Sequence, residues 1–562
     1  MFRSLATSAI ALLAGAAPVL ADLTPAEAWE SLTKNYTDFG YELTTGNVDD
    51  AGNTLTVTDA VLSMNSEQGP TTVTIPKMTF TETGDAKVRA VMEGDIDLSV
   101  TYQIPDEEAF EEAMNDQAET APADGAEGEA APEDSAEAPG EEAPADDATS
   151  EMKMVDVQMT GKIAVPNNEM LISGSVEDTL YEYNYPSMTM DLQVPFDQES
   201  DVKMPLKAEI TDLKGTQRNV HGDGVEQTFD LTAAMFGLSS DWKVPANGAE
   251  SNGGDLTFNI AFNNLASKGN VNMPAGKFDL GTQMAEALAA GMNFDTTAAY
   301  ESIAGTFKMN AEANGPENPA KNADGTFSTG SGDIAFKMSS DGMTYGGKAA
   351  DAKVEMTSSD IPFPITYAIK ETSGDISFPV QKGDAAQPFT LAYALSGLTM
   401  GDEIWALFDP NGALPRDPAS LSIDVQGDAL VTMDIFDPAL SQPQVDATGM
   451  PVAPPVPFEP KTLKINRVAL DAVGAKADLA GDLDFSQNPN DPTGKINGTF
   501  EGVNGLLDNL VKTGLVPQDQ LMGMRMMLGM FAKPVEGETD KLQTEIEFQS
   551  GGKVFANGQQ IK

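Results

Sequence analysis

The residues that could do chemistry are few in this chain, and they restrict the reactions that it could catalyse. His221 is the only histidine and Cys is absent, so thiolate and redox chemistry are excluded. A metal site built on imidazole, or a catalytic triad, would depend on His221 alone. Its neighbours Gly222, Asp223 and Gly224 are typical of a turn, and we interpret His221 as a turn residue. The sequence therefore predicts no catalytic, cofactor-binding or metal-binding residue.

Carboxylates are the one abundant reactive group. The chain has 87 Asp and Glu against 33 Lys and Arg, a formal net charge of −54. Paired carboxylates could hydrolyse glycosides, but their separation is a three-dimensional property that abundance does not reveal. A carbohydrate-active hydrolase is therefore an alternative hypothesis. Nucleic acid is not an expected partner, because phosphate binding requires clustered Lys and Arg.

The first 21 residues have the pattern of a secretory signal peptide. Arg3 is followed by an apolar stretch from Leu5 to Leu20, and Ala21 ends a small-residue cleavage site. We expect a periplasmic protein cleaved after Ala21, with a retained anchor as the alternative. No later stretch has roughly 18 uninterrupted apolar residues, so no transmembrane helix is expected in the mature chain. An outer-membrane β-barrel is a further alternative, disfavoured by an aromatic content of 7%.

Composition and periodicity divide the chain into segments. Thr24-Pro25-Ala26-Glu27 is a capping box that predicts a helix carrying Trp29. A later segment combines many acidic residues with no Lys or Arg, which is typical of disorder. The predicted units are a signal peptide (1–21), an N-terminal helix and β-meander (22–104), a disordered acidic insert (105–151), a central β-rich region (152–437), a Pro-rich linker (438–460) and a C-terminal β-α-α-β unit (461–562).

Alternation of apolar and polar residues predicts a mainly β fold of the α+β class, with extended antiparallel β-meanders and a few short helices. Short helices are predicted over residues 283–290 and 404–408. A Gly-Asp pair recurs, and we interpret it as a turn at the start of a strand. The glycines of these pairs are Gly94, Gly254, Gly332, Gly374 and Gly481.

The last hundred residues predict a helix pair packed on a sheet that ends in Ile546 and Phe548. Apolar residues recur there at helical spacing, namely Leu506, Leu507, Leu510, Leu521, Met524, Leu528 and Phe531. Five methionines surround Arg525 in the second helix, at positions 522, 524, 526, 527 and 530. We interpret them as core residues, with an adaptable ligand-facing surface as the alternative.

This C-terminal pattern resembles the alphaproteobacterial family called domain of unknown function 2125. The resemblance rests on the Gly481-Asp482 strand, a glycine-punctuated turn, a Leu-rich helix, a second helix and a terminal hairpin with a Gly-Gly turn that ends at Asn557-Gly558-Gln559. The signal-peptide start and the Trp29 helix extend it. The resemblance implies a secreted, β-rich envelope protein of uncharacterised role, with no functional residues to transfer.

The function hypothesis is a non-enzymatic periplasmic scaffold or a protein that binds a hydrophobic ligand. A lipid or another envelope component would be its partner. The observation that separates these possibilities is whether the apolar face of the sheet is packed solid or leaves an apolar cavity.

Overall fold

The computed structural model describes residues 23–66, 69–105, 154–195, 203–244, 253–276, 278, 280, 282–313, 315, 318–437, 440 and 456–562. The predicted signal peptide lies outside the described residues. So do nearly all of the predicted acidic insert and most of the Pro-rich linker.

Five helices are described: α1 (Pro25–Asp38), α2 (Met284–Ala289), α3 (Asp402–Phe408), α4 (Val503–Thr513) and α5 (Gln518–Phe531). The predicted capping box of α1 is confirmed. The Thr24 hydroxyl accepts the Glu27 amide hydrogen at 3.2 Å, and the Glu27 carboxylate accepts the Thr24 amide hydrogen at 2.9 Å. None of these five helices has both the length and the hydrophobicity that a membrane span requires.

Strands make up most of the described chain, so the predicted mainly β fold is confirmed. They are β1 (Glu42–Thr44), β2 (Asn47–Asp50), β3 (Thr54–Ser66), β4 (Gly69–Glu82), β5 (Val88–Glu93), β6 (Ile96–Pro105), β7 (Met154–Ala164), β8 (Glu169–Ser175), β9 (Asp178–Pro195), β10 (Lys203–His221), β11 (Gly224–Val244), β12 (Gly254–Pro274), β13 (Asn293–Tyr300), β14 (Ser302–Ala311), β15 (Lys321–Thr329), β16 (Gly332–Ser339), β17 (Gly342–Ser358), β18 (Ile361–Phe378), β19 (Gln387–Met400), β20 (Ala419–Val431), β21 (Phe458–Ala472), β22 (Ala475–Asp484), β23 (Thr493–Glu501), β24 (Lys533–Pro534), β25 (Lys541–Gln549), β26 (Lys553–Ala556) and β27 (Gln559–Gln560).

All the described strands form one antiparallel sheet that follows the chain from end to end. Most strands pair with their neighbours in sequence, as in an extended meander. At several places, two short strands take the position of one long strand. Thus β5 and β6 lie beside β4, β8 and β7 beside β9, β13 and β14 beside β12, and β16 and β15 beside β17.

Several long strands are interrupted near their middle by a residue in the left-handed backbone conformation. Asp59, Asp212, Asn264 and Asp351 all have φ of 51° or 52°, where a non-glycine residue is uncommon. The spacing of apolar residues changes there from two to three, as from Ile210 to Leu213. Such a residue bends its strand and advances the side-chain alternation by one position. The apolar side chains therefore stay on one face of a bent sheet.

The N-terminal core confirms that both arms of this bent sheet share an apolar face. Leu55 and Val57 precede the left-handed Asp59, Ala60 and Leu62 follow it, and all four belong to one buried cluster. Helix α1 covers this cluster with Trp29, Leu32 and Tyr36. The Trp29 ring packs edge-on against Phe80, with the ring centroids 5.7 Å apart.

A second buried cluster lies further along the same sheet, where α2 covers it. Ala287 and Leu288 of α2 are fully buried and pack with Val225 of β11 and Met273 of β12. Two short helices, α1 and α2, thus pack on the same face of the sheet at separate positions.

The C-terminal helix pair is present, but it packs less tightly than the sequence predicts. Leu507 of α4 is buried, whereas α5 has no buried residue and Phe531 is 42% exposed. The core interpretation is wrong for Met522, Met526, Met527 and Met530, which are all exposed. Helix α5 contacts α4, where Arg525 bonds Asp508 at 2.7 Å, so its outer side stays open.

Candidate functional site

The cross-strand register places apolar residues in one long row on the face that α1 covers. We call this set the long apolar row, and it takes one residue from each of 17 strands. Its members are Val88, Ile172, Tyr181, Gln217, Phe229, Gly269, Thr296, Phe336, Tyr345, Ile376, Leu391, Val425, Ile465, Gly481, Ile496, Ile546 and Ala556. None is charged. At roughly 4.8 Å per strand the row is roughly 75 Å long.

A second charge-free row lies on the other arm of the bent sheet. This short apolar row runs from β6 to β19. It comprises Ile96, Ile163, Met190, Ala208, Leu238, Ile260, Gly305, Phe327, Val354, Tyr367 and Met400. The two arms share one apolar face, and we call the apolar surface that the two rows border the trough.

The opposite face of the sheet is charged. The residues next to the long apolar row along each strand include Glu182, Asp230, Lys268 and Asp424. Many of these charges form cross-strand ion pairs, such as Lys268 with Asp230 at 2.8 Å. Many of the abundant carboxylates thus lie on the polar face, where they interact with water. Among the described residues, no three His, Asp or Glu side chains converge as a metal site would require.

Glycines let aromatic rings lie flat on the apolar face. Phe229 is in register with Gly269, and Phe389 with Gly427. A Cβ atom at either glycine would clash with the ring of its Phe partner. Both phenylalanines are half-buried, so one side of each ring lies on the sheet while the other contributes to an open apolar surface.

Two of the Gly-Asp pairs lie in this surface rather than at strand starts. Gly374 lies within β18 and Gly481 within β22, where Gly481 occupies a position of the long apolar row. The strand-start interpretation is wrong for these two pairs, because neighbouring strands extend beyond them. It is confirmed at Gly254 and Gly332, which begin β12 and β16.

A cavity of about 420 Å³ lies at the N-terminal end of the trough, between α1 and the sheet. Its walls are mostly apolar and aromatic, and none of the described residues that line it is charged. The lining residues are Leu32, Asn35, Tyr36, Phe39, Tyr41, Met64, Met78, Met92, Met170, Tyr181, Tyr183, Tyr185, Gln217, Gln227, Met273 and Leu280. Methionine adapts its shape readily, so these walls can adjust to a flexible ligand.

Buried polar groups fix α1 above this cavity. Asn219 donates to Asn35 of α1 at 2.6 Å and accepts from Gln217 at 3.1 Å. Ser31 of α1 bonds the hydroxyl of Tyr181 at 2.8 Å. Hydrogen bonds that satisfy buried polar groups set the position of a helix more specifically than apolar contact alone.

His221 belongs to the same attachment, which corrects the turn interpretation. It is the last residue of β10, its side chain is fully buried, and its Nδ1 lies 2.8 Å from the carboxylate of Asp38 at the end of α1. The sequence showed the flanking glycines but not the contact, because the two residues are 183 positions apart.

Five tyrosines bring hydroxyl groups to the cavity. Tyr183 donates to Gln217 at 3.1 Å, whereas the hydroxyls of Tyr36, Tyr41 and Tyr185 have no hydrogen-bond partner within the described part of the chain. Burial raises the pKa of Tyr181 to about 12 and also raises the pKa of Tyr36. The phenols of Tyr181 and Tyr36 therefore stay protonated and uncharged near neutral pH.

Comparison with known proteins identifies one family. No curated protein and no solved structure matches the chain. Residues 348–557, from β17 to the turn after β26, match the family described as "Uncharacterized protein conserved in bacteria (DUF2125)". The cavity under α1 lies outside the matched residues. The resemblance found in the C-terminal sequence is thus confirmed, and residues 348–557 carry the DUF2125 family pattern.

Proposed function

We propose that the protein binds the hydrocarbon chain of a lipid along the trough and catalyses no reaction. The observation that carries this proposal is the long apolar row, which crosses the sheet without a charged residue while many of its side chains stay accessible. Tyr345 is 49% exposed and Leu391 is 39% exposed. An accessible apolar surface of this length marks an interaction site.

The shape of the surface favours an extended apolar ligand over a globular protein partner. The trough is long in the direction of the row, which runs across the strands, and two of its rings lie flat on glycines. A hydrocarbon chain needs no directional contacts, so it can lie along such a track at many positions. Desolvation of both surfaces supplies about 25 cal/mol for each Å² of apolar area buried.

The proposal places the protein in the periplasm, and the signal-peptide pattern of residues 1–21 supports this location. Detection in a periplasmic fraction, with the mature N-terminus at Asp22, would test the location.

Paired substitutions on the two faces of the sheet test the binding proposal. In register, Tyr345 and Leu391 flank Ile376 on the apolar face, whereas Thr344 and Thr390 flank Ser377 on the polar face. The double variant Tyr345→Asp, Leu391→Asp introduces two carboxylates into the trough. Thr344→Asp, Thr390→Asp introduces them at the same separation on the outside.

The readout is binding of the uncharged fluorophore N-phenyl-1-naphthylamine, together with thermal unfolding. We expect the inward pair to weaken binding at least about ten-fold, since a desolvated carboxylate is costly, and the outward pair to leave it unchanged. Equal effects of the two double variants would contradict the proposal.

A further inference from the structure

We propose that the cavity under α1 holds the uncharged polar end, a hydroxyl or ester group, of a single-chain amphiphile. The hydrocarbon chain of this ligand lies in the trough. This inference rests on the proposed lipid binding and adds the ligand class and its orientation.

The first argument is the set of unpaired hydroxyls. Tyr36, Tyr41 and Tyr185 line the cavity, and within the described residues no protein group bonds their hydroxyls. A ligand composed of hydrocarbon alone would remove water from these hydroxyls. It would offer no hydrogen bond in place of those that the water made. A buried hydroxyl without a partner is unfavourable, so the cavity selects a ligand with hydrogen-bonding atoms at this end.

The second argument is the absence of charge from the lining. Within the described part of the chain, neither Lys nor Arg lines the cavity, and the nearby Lys34 already pairs with Asp38 at 3.1 Å. A carboxylate or phosphate placed there would lose its hydration without gaining a counter-charge. The cavity therefore favours a long-chain alcohol or a monoacylglycerol over a fatty-acid anion.

The experiment compares 1-monolauroylglycerol with laurate at pH 8 by displacement of N-phenyl-1-naphthylamine from the mature full-length chain. The variants are Tyr36→Phe and Tyr185→Phe, which keep the ring and remove the hydroxyl. Tyr102→Phe is the matched control, because Tyr102 lies on β6 outside the cavity and outside both apolar rows. Thermal unfolding verifies that each variant is folded.

We expect the monoacylglycerol to bind about ten-fold more tightly than laurate. Each cavity variant should weaken monoacylglycerol binding about five-fold and leave laurate binding unaffected. The control Tyr102→Phe should change neither affinity. Equal or tighter laurate binding, or monoacylglycerol binding that ignores both cavity variants, would overturn the inference and leave the proposed function standing. Failure of every amphiphile to bind would overturn the proposed function and the inference with it.

Discussion

The N-terminal end and the middle of the sheet have the same apolar face but differ in what covers it. In the N-terminal region Val88, Ile172 and Tyr181 of the long apolar row are at most 1% exposed, because α1 lies over them. In the middle of the same row, Tyr345 of β17 and Leu391 of β19 are 49% and 39% exposed. One strand pattern thus produces a core where a helix covers it and an open surface elsewhere.

The difference shows that burial in this protein is decided by covering helices and not by strand sequence. The N-terminal helix brings Trp29, Leu32 and a set of buried hydrogen bonds to the sheet. At the C-terminal end, Leu507 is the one buried residue of α4, and α5 has no buried residue. The covered region should therefore carry most of the stability, and the open region should tolerate change.

The sharpest test replaces one leucine in each region. Leu55 is 2% exposed, and Leu55→Ala should lower the free energy of unfolding by about 2–5 kcal/mol because it leaves a cavity in a packed core. Leu391→Ala should lower it by less than about 1 kcal/mol, since the side chain is already partly in water. Denaturant unfolding measures both. Similar losses at the two positions would show that the open region is covered in solution.

The next effect concerns the polar attachment of α1. Asn219→Ala removes the amide that forms hydrogen bonds with Asn35, Gln217 and Gln227. The buried amide of Asn35 and the part-buried amides of the two glutamines each lose one hydrogen bond. We expect a loss of about 1–3 kcal/mol in the free energy of unfolding. The control is Asn466→Ala, whose amide bonds Asp424 at an exposed site and should matter little. A stable Asn219→Ala variant would mean that the Asn219–Asn35 contact contributes little to holding the helix.

A smaller effect is expected from removing the segment between β6 and β7. Pro105 and Met154 are opposite each other in register, so the strands that flank residues 106–153 pair directly. Replacement of these residues by a 12-residue Gly-Ser linker should raise the free energy of unfolding by about 1 kcal/mol, because a shorter loop costs less entropy to close. Thermal unfolding tests this. Loss of folding would show that the covered region needs the segment.

The smallest effect is a pH dependence at the start of α1. Hydrogen bonds from the Thr24 backbone and side chain lower the pKa of the Glu27 carboxyl below its ordinary value. Its stabilisation is therefore present above the unfolded pKa and is lost as the pH falls through the folded pKa. The carboxylate is exposed, so only a few tenths of a kcal/mol are involved.

Glu27→Gln isolates this contribution, since glutamine can still cap the helix but cannot titrate. Stability measured from pH 6 to pH 3 should fall slightly more steeply in the parent chain than in Glu27→Gln. Parallel profiles would assign the acid sensitivity to other carboxylates.

The sequence by itself determined the type and start of most elements. Alternation identified the strands, the capping box at Thr24 identified the start of α1, and leucine spacing identified the C-terminal helix pair. These features depend on periodicities of two and 3.6 residues and on hydrogen bonds between residues close in sequence, so they can be read locally.

Only the tertiary structure decided which residues meet and which stay open. The long apolar row joins Val88 to Ala556, and His221 contacts Asp38, because pairing register connects positions far apart in sequence. The same applies to α5, whose methionines repeat at the spacing of a core helix yet are exposed, as no strand lies over them. Periodicity shows that a face is apolar. Whether that face is covered depends on where another element of the fold is placed.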